Sequence, residues 1–221
     1  MRILELFSGT ASFSKVAEEM GHKVTTLDWD SKFGAEICMD ILDIDLNEID
    51  VLFGEHFDVV WASPPCTEYS RAKSQGKRDI NYANSVVLKT IEIINKLKPK
   101  FWIIENPETG LLKNQDFMKE IPFTDVSYCK YGLPYKKQTR LWNNFGFVGK
   151  ICKNDCNFLV DGLKRKRHIN SAGCGGKGQG HKIKYSNRGY SKIEKYGVPN
   201  KLCLEIINKI EQEITKLEEG K

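Results

Sequence analysis

The 221-residue sequence has no apolar stretch of the roughly 20 residues that a membrane-spanning helix needs. It begins MRILELFSG, where the glutamate comes too early for a secretory leader, so we expect no signal peptide. The seven cysteines are odd in number and scattered, which favours free or metal-bound thiols over a disulfide framework. These absences predict a protein of the reducing cytoplasm with no membrane partner.

A dinucleotide-binding fingerprint is also missing. The turn after the first predicted strand, FSGT, has the single glycine Gly9, and Ala11 and Ser12 stand where further glycines are expected. Asp28 follows at the end of the next predicted strand, where an acid can bind ribose hydroxyls. The segment therefore favours a nucleoside-like ligand without pyrophosphate, such as S-adenosylmethionine. An ordinary tight turn is the alternative.

Apolar runs alternate with helical repeats over the first half of the chain. Strands are predicted at residues 2–7, 23–27, 58–62 and 101–104, and helices at 13–20, 85–98 and 200–219. This alternation predicts an α/β fold in which helices cover both faces of a mostly parallel sheet. The rhythm stops after residue 145. We therefore expect a catalytic and cofactor-binding domain at 1–144, a small irregular basic insert at 145–195, and a C-terminal helix at 196–221 that returns to the first domain.

Two reactive side chains follow the later strands. Cys66 comes after a predicted strand and two prolines, Pro64 and Pro65, that hold the backbone extended. Glu105 ends the strand predicted at 101–104. Because open α/β sheets bind ligands at the carboxyl ends of their strands, a nucleophilic thiol and a proton-donating carboxyl are predicted to meet beside the nucleoside site. An inert cysteine and a solvated glutamate are the alternatives.

The order and spacing of these segments resemble the cytosine-5 DNA methyltransferase family, in a compact, phage-like form. The similarity runs from residue 1 to about 142 and resumes near 196. SPPC, ending at Cys66, looks like the family's nucleophile motif, and Glu105 begins a pair like its Glu-Asn motif. QTR, ending at Arg140, looks like the start of its Gln-x-Arg-x-Arg motif, and LFSG at 6–9 is similar to its cofactor motif.

The resemblance implies a Rossmann-like fold, S-adenosylmethionine as cofactor, DNA as partner and a covalent mechanism. Cys66 would add to carbon 6 of a cytosine flipped out of the duplex, Glu105 would protonate or hydrogen-bond ring nitrogen 3, and carbon 5 would take the methyl group. Arg140 would contact the base or support Glu105. The residues implied in cofactor binding are Phe7, Gly9, Thr10, Asp28, Trp29, Asp40, Ile41, Pro64 and Asn200.

The chain departs from the family pattern at several of these motifs. Trp142 stands in place of the second arginine of Gln-x-Arg-x-Arg, Thr67 replaces the glutamine after the nucleophile, and Pro107 replaces an aliphatic residue. Three rival functions stay open: a cytosine-5 methyltransferase of RNA, an amino-methyltransferase of DNA, and a catalytically inactive DNA-binding module.

Two basic stretches are candidates for contact with DNA phosphates. One follows Cys66, and the other contains the run KRKR at 164–167, in an insert where lysine and arginine outnumber acidic residues. Solvated loops are the alternative. The residues predicted to contact DNA are Arg71, Lys73, Lys77, Arg78, Gln138, Lys164, Arg165, Lys166 and Arg167.

The insert also holds residues of the types that bind zinc: Cys152, Cys156, His168 and Cys174. A small irregular segment gains stability from a metal, so zinc is a second predicted cofactor. Three residues separate the first two cysteines, unlike a standard finger, and free cysteines are the alternative. Nothing in the sequence sets the oligomeric state.

Overall fold

The computed structural model describes residues 1–54, 56–73, 76–161, 167–169 and 197–220. The main sheet has seven strands, which are β1 (Arg2–Leu6), β2 (Lys23–Asp28), β3 (Ile37–Cys38), β4 (Val59–Ala62), β5 (Phe101–Pro107), β6 (Phe123–Ser127) and β7 (Gln138–Asn143). Their order across the sheet is β3-β2-β1-β4-β5-β7-β6. The first five strands run parallel, and β7 runs antiparallel to both of its neighbours.

The helices of the described residues are α1 (Ser12–Glu19), α2 (Ile49–Phe53), α3 (Ile80–Leu97) and α4 (Asn200–Glu219). Helix α2 was not predicted, and α3 begins at residue 80 and not at the predicted residue 85. At the start of α3, the Asp79 side chain accepts a hydrogen bond from the backbone amide of Tyr82, which satisfies one of the free helix donors. The helix ends at Leu97. The next residue, Lys98, has a left-handed conformation and precedes a proline that cannot continue the helix.

Successive residues of the central strands point to opposite faces of the sheet. Ile3, Trp61 and Ile103 pack in one core with α1 and α4. Their chain neighbours, such as Leu4 and Ile104, pack in a second core with α2 and α3. Two apolar faces, each covered by helices, confirm the predicted α/β class.

Two differences from the predicted elements bear on the site. The antiparallel pair β6 and β7 was not predicted, because its strands are mixed in polarity. In addition, β5 continues to Pro107, so Glu105 lies inside the strand and not at its end. The extension follows from β7, which pairs Arg140 with Asn106 and Thr139 with Pro107.

Part of the predicted basic insert is described. It contains β8 (Leu159–Val160) and β9 (Arg167–His168), which pair as a short antiparallel ribbon. Residues 162–166 and 170–196 lie outside the described residues, so the predicted boundary near 195 stays a prediction. Helix α4 packs against α1 in the first core. None of the helices in the described ranges has the length and apolar character of a membrane span.

Candidate active site

The carboxyl ends of β1, β2, β4 and β5 open into one cavity. Eight residues predicted from the sequence line it, namely Cys66, Glu105, Phe7, Gly9, Thr10, Asp28, Trp29 and Pro64. The structure thus brings the predicted thiol, carboxyl and nucleoside turn together. Further lining residues that were not predicted as site residues include Glu5, Phe33 and Lys137.

The turn between β1 and α1 has an unusual backbone. Phe7, Gly9 and Ala11 all have positive φ, at 59°, 48° and 54°. Glycine adopts this conformation freely, but for phenylalanine and alanine it costs energy that the surrounding structure must offset. The Ala11 amide donates to the Ser8 carbonyl at 2.7 Å, and the Gly9 amide donates to the Asp28 carboxylate at 2.8 Å. The turn is therefore held in one shape against the cavity.

Asp28 joins this turn to the end of β2. Its two carboxylate oxygens accept hydrogen bonds from the backbone amides of Gly9 and Asp30, at 2.8 and 2.9 Å. Each oxygen retains a second lone pair that a ligand hydroxyl can use. Next to it, Trp29 is 66% exposed and available for stacking on a flat ring.

The segment that carries Cys66 is fixed from two strands. The Asn106 side-chain amide, on β5, donates to the carbonyl of Pro64 at 2.9 Å. At the end of β4, the indole nitrogen of Trp61 donates to the Ser63 hydroxyl at 2.9 Å. Cys66 itself is half-buried and lines the cavity.

Glu105 is buried and has two partners. The Tyr128 hydroxyl donates to its Oε1 at 3.1 Å, and the Lys137 ammonium lies 3.8 Å from the same oxygen. Lys137 also lies over the Tyr128 ring, 4.8 Å from its centroid. Sequence reasoning missed both residues, because Lys137 precedes β7 and Tyr128 follows β6, and neither strand was predicted.

Arg140 pairs with an acid on β6, and its predicted catalytic role stays a prediction. Its guanidinium binds Asp125 through two hydrogen bonds of 2.7 and 2.9 Å and lies 3.5 Å from the ring centroid of Phe123. Among the described residues, the lining of the cavity includes Lys137 and not Arg140. Trp142, two residues further along the strand, packs in the second core.

Three predicted cofactor residues also lie away from the cavity walls as described. The Asp40 carboxylate accepts from the Leu42 amide at 2.9 Å and caps a short 3₁₀ turn. Ile41 is buried in the second core. Asn200 begins α4 and lines a separate groove with Tyr131. Their roles in cofactor binding stay predictions.

The predicted DNA-binding residues after Cys66 divide into two pairs. Lys73 forms an ion pair with Glu68 at 2.6 Å, and Arg78 donates to the carbonyls of Glu68 and Lys73 at 3.0 and 3.3 Å. Both side chains therefore help to hold this loop together, and their contacts with DNA stay predictions. Arg71 and Lys77 are exposed.

The other predicted DNA contacts lie at the start of β7 and in the insert. Gln138 is half-buried at the start of β7. Lys164, Arg165 and Lys166 lie outside the described residues, as does the side chain of Arg167.

The predicted zinc ligands Cys152, Cys156 and His168 do converge, and Cys129 joins them. The fourth predicted ligand, Cys174, lies outside the described residues. Cys129 was missed because it comes much earlier in the chain, after the unpredicted strand β6.

The fold, with its parallel strands and inserted antiparallel β7, is that of the Rossmann-like S-adenosylmethionine-dependent methyltransferases. A solved structure from E. coli, described as a DNA modification methyltransferase encoded within a prophage, aligns with a TM-score of 0.52 and 16% identity. The alignment covers 65% of this chain and 46% of that chain. At that identity, the likeness concerns the fold alone.

Sequence comparison defines the family more narrowly. The family model for C-5 cytosine-specific DNA methylase matches residues 1–124. The chain is also 35% identical over 228 residues to "Probable DNA (cytosine-5)-methyltransferase" of frog virus 3 (isolate Goorha), covering 94% of this chain and 99% of that protein. The protein belongs to the C-5 cytosine-specific DNA methylase family, which confirms the resemblance seen in its motifs. S-adenosylmethionine is the cofactor of that family.

Proposed function

We propose that this protein transfers a methyl group from S-adenosylmethionine to carbon 5 of cytosine in DNA, through a covalent bond between Cys66 and the base. The observation that carries the proposal is the placement of Cys66 and Glu105 in the wall of one cavity, together with the turn at Gly9 and with Asp28. A nucleophile, an acid and a nucleoside site are what this reaction requires.

The cavity suits the proposed cofactor. Asp28 can accept hydrogen bonds from ribose hydroxyls, and the exposed ring of Trp29 can stack on adenine. Within the described chain, Lys137 is the single cationic side chain of the lining, and it lies beside Glu105. The nucleoside end therefore offers no cationic side chain for a pyrophosphate. When bound, S-adenosylmethionine supplies an electrophilic methyl group.

Cys66 and Glu105 act on the target base. The Cys66 thiolate adds to carbon 6 of the cytosine, which makes carbon 5 nucleophilic. Glu105 hydrogen-bonds or protonates ring nitrogen 3, where negative charge builds up during the addition. After methylation, carbon 5 loses its proton, the bond from sulfur to carbon 6 breaks, and the Cys66 thiolate leaves as the ring double bond returns.

Lys137 and Tyr128 position the acid in this scheme. The tyrosine hydroxyl fixes one oxygen of Glu105 by a hydrogen bond, and the ammonium brings positive charge to the same oxygen. Lys137 takes the supporting role that the family resemblance assigned to Arg140. As part of the cavity lining, it is also placed to reach a polar atom of the bound base.

DNA is the proposed substrate, and the cytosine must leave the duplex to reach Cys66. The exposed Arg71 and Lys77 follow the nucleophile in sequence and are proposed to bind phosphates on entry. The predicted run at 164–167 is proposed to extend this contact.

The proposal is tested with purified protein, tritiated S-adenosylmethionine and matched DNA and RNA. We expect incorporation into DNA, its loss in Cys66→Ser, and normal activity in Cys38→Ser, which changes an exposed cysteine. A DNA containing 5-fluorocytosine should trap a covalent complex with the wild type, because fluorine cannot leave carbon 5 as the proton does. Activity retained in Cys66→Ser would point to amino methylation, and incorporation into RNA alone would identify RNA as the substrate.

A second measurement gives the product and its sequence context. Bisulfite sequencing of DNA from cells that express the protein should reveal 5-methylcytosine at a defined site, and cells expressing Cys66→Ser should show none. No methylation of any DNA or RNA would favour the inactive DNA-binding module.

A further inference from the structure

We propose that Cys129, Cys152, Cys156 and His168 bind one structural zinc ion, which fastens the basic insert to the catalytic sheet. The three thiols and one imidazole each offer one ligand atom, and these four atoms all lie within 4.8 Å of one another. Cysteine and histidine in this combination are a common ligand set of structural zinc sites.

The distances between ligand atoms match a tetrahedral site. The His168 Nε2 lies 3.5 Å from the Cys152 sulfur and 3.3 Å from the Cys156 sulfur. Zinc bonds of about 2.3 Å to sulfur and about 2.0 Å to nitrogen place neighbouring tetrahedral ligands roughly 3.5 to 3.8 Å apart. Only small shifts of the side chains are then needed to close the four ligands around one ion.

The ligands come from three separate elements that meet at this point. Cys129 lies in the 3₁₀ turn Tyr128–Tyr131, directly after β6. Cys152 and Cys156 lie on the loop that follows β7, and His168 lies on β9. A metal bound here connects the sheet, the loop and the hairpin.

The loop between the two cysteines is shaped as a metal-binding knuckle. Asn154 has a positive φ of 63°, which turns the chain back on itself. The loop is also tied to the sheet, since the Cys152 amide donates to the Ser127 hydroxyl at 3.1 Å and Lys130 pairs with Asp155 at 2.8 Å.

The geometry favours a structural ion over a catalytic one. Four protein ligands complete the tetrahedron and leave no position for water or substrate. Cys129 and Cys152 are buried, at 3% and 2% exposure. The pairing of β8 with β9 involves two residues from each strand, and an isolated ribbon of that size has little stability of its own. The ion would supply that stability.

The position of the ion relates the insert to the active site. Cys129 directly follows Tyr128, whose hydroxyl donates to Glu105. A metal that fixes this turn would hold Tyr128 against Glu105. It would also keep the start of the basic insert at a fixed position beside them.

The test measures metal content in full-length protein purified without added chelator. We expect one zinc per chain in the wild type, and loss of that zinc in Cys129→Ser and in the half-exposed Cys156→Ser. Cys38→Ser and Cys174→Ser should retain it. Cobalt added to metal-free wild type should give the visible bands and sulfur-to-metal charge transfer of a tetrahedral thiolate site, a result that requires no variant to fold.

Three results would overturn the proposal: wild type that carries no zinc and gives no tetrahedral cobalt spectrum, zinc retained in Cys129→Ser, or zinc lost in Cys174→Ser. None of these measurements involves methyl transfer. The zinc site can therefore fail while the proposed enzymatic function stands, and the reverse also holds.

Discussion

The Tyr128 hydroxyl donates a hydrogen bond to Oε1 of Glu105 across 3.1 Å. Burial, together with the negative charge of Glu105, raises the pKa of Tyr128 well above its ordinary value, so the phenol keeps its proton and remains a donor. A permanent donor at this carboxyl fixes one of its two oxygens and leaves the other for the proposed contact with the base.

Replacing this tyrosine should therefore slow methyl transfer and spare cofactor binding. A hydrogen bond to a charged group contributes about 1.5–3 kcal/mol, so Tyr128→Phe is expected to lower kcat roughly 10- to 100-fold. The measurement is the rate at saturating DNA and S-adenosylmethionine, with cofactor affinity determined by calorimetry. Tyr82→Phe, on the exposed side of α3, is the matched control and should have normal kinetics. An unchanged kcat in Tyr128→Phe would remove the tyrosine from the site.

Lys137 and Arg140 can be distinguished by parallel substitutions. Lys137→Met removes the positive charge beside Glu105 and should lower kcat at least tenfold, whereas Lys137→Arg keeps the charge and should recover much of the loss. Arg140→Met breaks the pair with Asp125 and should cost about 1 kcal/mol of unfolding free energy, with kcat changed only a few-fold. Kinetics and urea denaturation measure the two effects. If Arg140→Met lowered kcat more than Lys137→Met, Arg140 would be the residue that supports Glu105.

The sequence predicts residues that follow a parallel strand more readily than residues whose position depends on pairing between distant strands. Cys66 and Asp28 were found because each follows an apolar run that forms a parallel strand, and local pattern is sufficient to place such residues at the edge of a sheet. Lys137 depends on the antiparallel pairing of β7 with β5, a contact between distant segments that no local periodicity encodes. Arg140 was chosen by motif alone, and strand alternation directs it toward Asp125 instead.

The same difference explains why three of the four proposed zinc ligands were predicted from the sequence and one was missed. Cys152, Cys156 and His168 could be grouped because they lie close together in a segment of distinct composition. Cys129 could not, since it reaches the cluster only through β6 and the 3₁₀ turn that follows it. Short strands of mixed polarity give no clear signal in the sequence, and the residues that depend on them are missed with them.

The proposed contact of Asp28 with the cofactor ribose can be tested by comparing substitutions of Asp28 and Asp40. Asp28→Ala removes the acceptor for ribose and also the bond that holds the Gly9 amide, so we expect at least a tenfold loss of S-adenosylmethionine affinity by calorimetry. Asp40→Ala removes only the cap of a 3₁₀ turn outside the cavity and should change the affinity less than threefold. Thermal denaturation of both variants controls for misfolding. Equal losses would show that Asp40 also contacts the cofactor.

Glu5 gives the fold a dependence on pH that is separate from catalysis. Its carboxylate lies at the cavity wall and accepts hydrogen bonds from the Ser14 backbone amide, at 2.9 Å, and from the Ser14 hydroxyl. Burial raises the pKa of Glu5 from its ordinary 4.5 to about 7, against the opposing effect of those hydrogen bonds. Between pH 4.5 and about 7, the folded protein therefore keeps a proton on Glu5 that the unfolded chain has already released.

Since the folded pKa is the higher one, the stabilisation by this proton is complete below pH 4.5 and is lost as the pH rises through about 7. The difference corresponds to roughly 3 kcal/mol of unfolding free energy. Glu5→Gln cannot ionise, so urea denaturation between pH 5 and pH 8 should show a flatter decline in stability than the wild type. Glu19→Gln, which changes an exposed carboxyl on α1, should keep the slope of the wild type. If the two variants have equal slopes, Glu5 is not the titrating group.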